Sequence, residues 1–274
     1  MKVHNPGRIA EKAAAVILVC LLLFASGCNG DKVSREEVEE IDSAFRRGIS
    51  QLSEATVFIR ALEEFDFENA DFLENTLQQI DTSRLAAQGV IESSNELRSF
   101  NFEGGLDQLG EYVSEYHDTV VEAMAELETV YDATEEMLEV LRPVLSEEAT
   151  ITQLEAPRND AEWLDRLRRL DTALGSSLAE LDNVRVPGLL EDIKALFTDL
   201  LTTMSKLVGD LLSVLTRSIP NVEMETNPDF LRTLQLVDGY LPLVQALYDN
   251  LEISEIDPLV EQLELEINRL YMGE

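Results

Sequence analysis

The stretch LLEDIKALFTDLLTTMSKLVGDLLSVL, residues 189–215, decides the fold class of this chain. Its apolar residues recur every three or four positions, which is the period of an amphipathic α-helix and not the alternation of a β-strand. Charged side chains interrupt it too often for a helix that crosses a membrane. They are Glu191, Asp192, Lys194, Asp199, Lys206 and Asp210. The pattern predicts a helix over residues 188–219, and its high apolar content predicts that this helix is central.

The same helical period extends across residues 34–274, and no segment shows a convincing strand pattern. It predicts seven helices. Five have the approximate ranges 34–62, 71–97, 105–142, 159–181 and 188–219, and two more begin at residues 228 and 258. We therefore predict an all-α fold: an elongated antiparallel bundle of six to eight helices built from helical-hairpin repeats.

Polar residues and prolines mark where these helices begin and end. Four pairs predict helix starts: Ser34 with Glu37, Asn159 with Glu162, Asn227 with Pro228, and Asp257 with Pro258. In each pair a short polar side chain can accept a hydrogen bond from the first free backbone amides. We expect Pro143 to end the third helix, and Pro242 to kink or split the sixth, because proline lacks the backbone N–H.

The helix junctions share one spacing, apolar-x-x-apolar-x-apolar. It begins at Leu62, Leu97, Leu181, Ile219 and Tyr248. Because each instance lies between two predicted helices, we interpret it as a short extended step that reverses the chain, which favours repeated hairpins. The polar stretch at 143–158 predicts a division into segments 34–142 and 158–274, with one continuous bundle as the alternative.

The first 28 residues have the layout of a processing segment. A basic start precedes an apolar run at 13–24, and the small residues Ala25, Ser26 and Gly27 stand directly before Cys28. The apolar run is short for a membrane span, which needs about 20 apolar residues.

These residues resemble the lipobox of bacterial lipoproteins, in which a cysteine receives a lipid and the preceding signal peptide is removed. The resemblance implies that residues 1–27 are a signal peptide, that Cys28 carries the lipid, and that 28–33 form a short tether. It also implies a body held outside the cytoplasm, at the cell membrane or the outer membrane. An uncleaved N-terminal anchor helix is the alternative.

The composition excludes several classes of function. The chain carries 54 Asp and Glu against 21 Lys and Arg, a formal net charge of −33, so nucleic acid is excluded as a partner. Its two cysteines are Cys20, inside the apolar run, and Cys28, so the body has no thiol for catalysis, for a disulfide or for metal binding. We expect no cofactor. The expected partners are the membrane, through the lipid, and a protein of the cell envelope, and the oligomeric state is left open.

Two groups of charged residues suggest an interaction. Glu111, Glu115, Asp118, Glu122 and Glu126 form a carboxylate stripe along the third helix. A stripe of this kind binds cations or a basic partner, or is simply a solvated face, which we favour in so acidic a chain. The arginine group comprises Arg158, Arg166, Arg168 and Arg169, and we hypothesise that it pairs with the stripe.

Other constellations have structural interpretations. We predict that His117, at the edge of an apolar face, is a core or boundary residue, because no second His or Cys exists in the body to share a metal with it. FDFENADF, residues 65–72, lacks the glycine and closing glutamate of a calcium loop, so we assign Asn69 or Asp71 to helix capping. LGSSL, residues 174–178, lacks the strand-turn-helix context of a nucleophile. No catalytic, cofactor-binding or metal residue is assigned.

The leading hypothesis is a non-enzymatic, membrane-anchored lipoprotein that acts as an interaction or scaffold module. The alternative is a ligand-binding or sensory bundle whose apolar pocket is lined by residues such as Phe197, Met204 and Tyr240. An enzyme would need a buried, unpaired carboxylate in a cleft and is the least favoured.

Overall fold

The computed structural model describes residues 34–64, 71–103, 106–153, 160–217 and 227–273. These ranges contain eight α-helices, two short 3₁₀-helices and no β-strand, which confirms the all-α bundle. The α-helices are α1 (Arg35–Ala55), α2 (Val57–Glu63), α3 (Phe72–Arg98), α4 (Asp107–Gln153), α5 (Asp160–Leu181), α6 (Glu191–Arg217), α7 (Pro228–Asn250) and α8 (Ile256–Met272). The 3₁₀-helices are Gly188–Leu190 and Glu252–Glu255.

Four of the helices form a closed bundle. α1 packs on α3, α3 on α4, α4 on α8, and α8 on α1. Arg47 of α1 pairs with Glu96 near the end of α3 at 2.6 Å. At the end of α8, Tyr271 donates a hydrogen bond to Asp42 near the start of α1 at 3.3 Å. As α1 runs from Arg47 to Glu54, its contacts in α3 run back from Glu96 to Ser83. The contacts of α4 with α3 run back in the same way, from His117 with Ser94 to Glu128 with Arg84, and Arg269 near the end of α8 contacts Gln108 at the start of α4. Neighbouring helices in this bundle are therefore antiparallel.

The other long helices extend this bundle from the second half of α4. α5 packs on α4, α6 on α5, and α7 on α6. Ser177 of α5 donates a hydrogen bond to the Val140 carbonyl of α4 at 2.6 Å. α2 contacts α7, so the extension meets the first bundle at a second place. With 47 residues, α4 is about 70 Å long. It belongs both to the first bundle, formed by α1, α3, α4 and α8, and to a second group, in which α5, α6 and α7 extend from its second half.

A one-residue break separates α1 from α2, where the sequence predicts one helix. Ser83 Oγ accepts a hydrogen bond from the Phe58 amide at 3.2 Å and donates one to the Glu54 carbonyl at 3.2 Å. The Tyr131 hydroxyl donates to the Ala55 carbonyl at 2.6 Å. The backbone groups beside the break have lost their helical hydrogen-bond partners. Side chains of α3 and α4 bind these groups instead.

Two of the predicted helix starts are confirmed in atomic detail. Glu37 accepts from the Ser34 amide at 2.9 Å, and Ser34 Oγ accepts from the Glu37 amide at 3.2 Å, which completes a capping box. Asn227 Oδ1 accepts from the amides of Asp229 and Phe230 at 2.8 and 3.2 Å. Asn159 lies outside the described residues.

Two predictions about helix ends are wrong. α4 continues through Pro143 to Gln153. α8 begins one residue before Asp257, and Glu255 occupies the N-cap position. Of the two outcomes expected at Pro242, the split does not occur, since α7 is one helix from Pro228 to Asn250. Packing overrides the local signal at the first of these sites, because the neighbours Leu141 and Val144 are completely buried and hold α4 helical across its proline.

The centre of the fold also differs from the prediction. α4, and not the more apolar α6, contacts helices of both groups. In α6 the side chains of Leu211, Leu212 and Leu215 are only partly buried. Apolar content therefore measures how much surface a helix can bury, but not whether other helices cover it.

The contacts join the two segments that the sequence suggested. α4 runs through the proposed division at 143–158 as far as Gln153, and α8 packs on α4 and α1. α1 and α2 both pack on α3, and each helix from α3 to α7 packs on the one before it, whereas α8 leaves α7 and closes the first bundle. These contacts fit the alternative of one continuous bundle.

Candidate interaction surface

Helix α7 buries one face against the rest of the protein. Leu236, Tyr240, Val244 and Leu247 lie on this face and are buried. The ring of Tyr240 packs against that of Phe197 in α6, with 5.6 Å between centroids. The three- and four-residue spacing of these side chains is that of a normal core-facing helix.

A second set of apolar side chains on α7 faces the solvent. We call this set the α7 stripe: Leu231, Leu234, Val237, Leu241 and Tyr248, which are 40–51% exposed. Of the ten large apolar side chains that are exposed in the described residues, these are five. Residues seven apart on a helix differ by only about 20° in direction, so Leu234, Leu241 and Tyr248 point the same way. One helix therefore carries a row of five apolar side chains that each remain about half exposed to solvent in the described structure.

The α7 stripe contains little charge for so acidic a protein. Its helix has four charged residues, Asp229, Arg232, Asp238 and Asp249. Arg232 lies 3.5 Å from Asp199 of α6, which neutralises it. Asp238 lies between Leu234 and Leu241 along the stripe and is exposed, with no ion pair within the described ranges. The stripe is thus an apolar strip with one carboxylate near its middle.

The residues proposed for a ligand pocket belong to the core. Phe197, Met204 and Tyr240 are all buried. Burial raises the pKa of the Tyr240 hydroxyl above its usual value. An open groove of about 550 Å³ lies elsewhere, between α4 and α5, where Arg168 and Glu147 are among its lining residues. That groove is charged and open, unlike the enclosed apolar site of the hypothesis.

His117 is a core residue, as predicted. Its side chain is 7% exposed, and its Nδ1 lies 3.1 Å from Ser94 Oγ. Ser94 Oγ also donates to the Ile91 carbonyl at 2.9 Å, so the serine links the histidine ring to the backbone of α3. The neighbouring Tyr116 hydroxyl is buried with no hydrogen-bond partner among the described residues, and its burial raises the pKa of Tyr116 to about 12. These groups form a polar layer inside the first bundle.

We hypothesised that the carboxylate stripe pairs with the arginine group. For Arg166 and Arg169, the two members whose ion pairs lie in the described residues, this is wrong. Arg166 binds Glu162 of its own helix at 2.6 Å, while Arg169 lies 3.6 Å from Glu147. Of the stripe, Asp118 lies 3.7 Å from an arginine outside the group, Arg98. Four of the five stripe carboxylates are exposed and the fifth is partly buried, as on a solvated face. Arg158 lies outside the described residues.

The remaining sequence candidates do not form a site. Asp71 occupies the N-cap position of α3 but makes no capping hydrogen bond, and Asn69 lies outside the described residues. LGSSL lies inside α5. Nowhere in the described ranges do three or more His, Cys, Asp or Glu side chains come together as a metal site would require.

Cys28 and the rest of the processing segment lie outside the described residues. Among the described helices, none is both long and apolar enough to cross a bilayer. Comparisons with protein-family models, with curated proteins and with solved structures found no match.

The sequence contains a signal for the α7 stripe that the prediction of a hairpin bundle did not use. Leu234, Leu241 and Tyr248 repeat every seven residues along α7, as one position of a coiled-coil heptad does. The four- and three-residue spacing passes through Val244, but Val244 is buried on the face that packs against the protein. Beside the face that contacts α6 and α2, α7 therefore carries a second row of apolar side chains that stay 40–51% exposed.

Proposed function

We propose that this protein is a lipid-anchored, extracytoplasmic interaction module that binds a partner through the α7 stripe. The observation that carries the proposal is the strip of five exposed apolar side chains along one helix. Exposed apolar side chains are normal when scattered, whereas a contiguous strip is typical of an interaction surface. The lipid anchor rests on the lipobox-like sequence before Cys28.

The packing of α6 against α7 supports an interaction module over a ligand-binding bundle. Phe197 and Tyr240 contact each other, and both are buried among other core side chains.

Glu266 bears on the enzyme alternative, because its carboxylate is strongly buried. It lies 3.4 Å from Arg269, whereas the acid expected in an enzyme cleft is buried and unpaired.

The anchor is tested by mass spectrometry and membrane fractionation of cells that express the full chain. We expect a diacylglycerol-modified N-terminus at Cys28 in the wild type and in a Cys20→Ser control, because Cys20 lies within the segment that is removed. Cys28→Ser should lose the modification and leave the membrane fraction. Normal processing and unchanged membrane retention of Cys28→Ser would contradict the anchor.

The interaction is tested by site-specific photocrosslinking in the native host. A photoreactive residue at position 241, within the α7 stripe, should yield one defined adduct. The same residue at positions 85 and 265 is the control, since Leu85 and Leu265 are also exposed, at 69% and 71%, but lie on α3 and α8. Identical adducts at all three positions, or none at position 241, would refute the α7 stripe as the binding surface.

A further inference from the structure

We propose that the α7 stripe binds an amphipathic α-helix that carries basic residues near its centre. This inference rests on the proposed function and names the chemistry of the partner. Three properties of the stripe support it: its shape, its charge and its area.

The shape of the stripe fits a helix. It extends from Leu231 to Tyr248, about 26 Å along α7 at 1.5 Å per residue. Leu234, Leu241 and Tyr248 repeat every seven residues, so they form one row along the helix, and a second helix packs along a row of this kind. A partner helix of about five turns, with apolar residues at the same spacing, would cover it from end to end.

The charge of the stripe favours a basic partner. Asp238 stands within the apolar strip and has no ion pair in the described structure, whereas Arg232 is already close to Asp199. Asp249 lies one residue beyond the stripe and is also exposed. A lysine or arginine of the partner opposite Asp238 would pair with it, and the net charge of −33 would draw such a helix towards the surface.

The same observations disfavour a second copy of this chain. Two stripes related by a two-fold axis at their midpoint would bring the two Asp238 carboxylates towards each other. The stripe is roughly 300 Å² from its length and the diameter of a helix, less than half of the about 800 Å² per partner that stable interfaces bury. Apolar contact over so small an area needs added electrostatic attraction, and between two chains of −33 the electrostatic term is repulsive.

The test uses two synthetic 20-residue peptides with leucine at the same heptad positions. One has lysine at its exposed positions and the other has glutamate. Fluorescence anisotropy measures their binding to the purified full chain at 0.15 M salt. Wild type should bind the lysine peptide at least tenfold more tightly than the glutamate peptide. Leu234→Gln with Leu241→Gln should weaken binding of the lysine peptide at least tenfold, and Asp238→Lys about threefold or more.

A matched variant separates docking from general attraction to an acidic protein. Leu85→Gln with Leu265→Gln removes two more exposed leucines on other helices and should bind the lysine peptide like wild type. Circular dichroism shows that each variant retains its helices. Equal binding by wild type and by the α7 variant would overturn both this inference and the α7 stripe as a docking surface.

Other outcomes overturn only the inferred partner. If both peptides bind wild type equally and the α7 variant loses both, the surface is real but does not select basic helices. If sedimentation equilibrium shows a wild-type dimer that Leu234→Gln with Leu241→Gln dissociates, the occupant is a second copy. In both cases the interaction function stands.

Discussion

Tyr116 and Tyr131 show how differently one functional group can serve within one helix. Both side chains are completely buried in α4. The Tyr131 hydroxyl donates to the Ala55 carbonyl at 2.6 Å beside the break between α1 and α2, and its ring packs edge-on against Phe58. The Tyr116 hydroxyl has no partner in the part of the chain that the structure describes. A buried hydroxyl stabilises a fold when it is paired and destabilises it when it is not.

We expect phenylalanine to have opposite effects at these two positions. Tyr131→Phe should lower the free energy of unfolding by about 1–2 kcal/mol, since it leaves the Ala55 carbonyl without this donor. Tyr116→Phe should leave the free energy of unfolding unchanged or raise it by about 1 kcal/mol, since it removes an unpaired polar atom. Urea denaturation measures both. Equal destabilisation by the two substitutions would show that the Tyr116 hydroxyl has a partner in solution.

Tyr116 also makes the stability depend on pH in alkaline solution. Burial raises its pKa from 10.0 to about 12, so the folded state holds this proton more tightly than the unfolded state. Its contribution to stability is therefore complete below pH 10 and is lost as the pH rises from 10 towards 12. Thermal melts between pH 9 and 11.5 should fall less steeply for Tyr116→Phe than for wild type. Tyr248→Phe, at an exposed tyrosine, should follow wild type.

At the scale of single helices, α4 contains a proline, Pro143, in its interior, where proline normally kinks or breaks a helix. Pro143 lies inside α4 and is exposed, so it removes a backbone hydrogen bond without contributing a buried side chain. Proline at the first position of a helix has no such cost, because the N–H there has no helical partner. Pro228 at the start of α7 is such a case.

Replacing each proline by alanine should separate the two situations. Pro143→Ala should raise the free energy of unfolding by about 1–2 kcal/mol, after the gain in flexibility of the unfolded chain offsets part of the benefit. Pro228→Ala should lower it by up to about 1 kcal/mol, because only the unfolded-state effect remains. Circular dichroism with urea measures both values. A loss of stability in Pro143→Ala would mean that the proline is a preferred feature of α4.

Helices were predictable where local signals and packing agree. α3 and α5 lie within about one residue of their predicted ranges, because their apolar period is regular and their ends are marked. The predictions failed at Pro143 and Asp257, where a local signal competes with long-range packing that the sequence does not display. The α7 stripe has a visible sequence pattern, but only the structure shows that its side chains stay 40–51% exposed.

At the scale of the whole molecule, α8 ties the first bundle together. Leu263 and Ile267 of α8 are buried, and Leu265 between them is exposed. α8 packs on α1 and α4, while the single tryptophan, Trp163, lies in α5 on the other group of helices. A change in α8 and the fluorescence of Trp163 therefore report on different groups.

We expect Leu263→Ala to destabilise both groups together. The cavity should lower the free energy of unfolding by about 2–5 kcal/mol, whereas Leu265→Ala should change it by less than about 0.5 kcal/mol. If α4 couples the groups into one cooperative unit, the transition seen by Trp163 fluorescence shifts with that seen by circular dichroism. A Trp163 transition that stays in place while the helical signal shifts would show two independently folding units.

The closure of the first bundle by α8 constrains the order in which the chain folds. Tyr271 and Asp42, which are joined by a hydrogen bond, are 229 residues apart along the chain. Such a contact closes a very long loop, and the entropy of loop closure must be paid before the contact stabilises the fold. Helices that follow each other along the chain contact over much shorter separations, so we expect those contacts to form first. Until α8 docks, the face of α1 that it covers is exposed to water and the first bundle is incomplete.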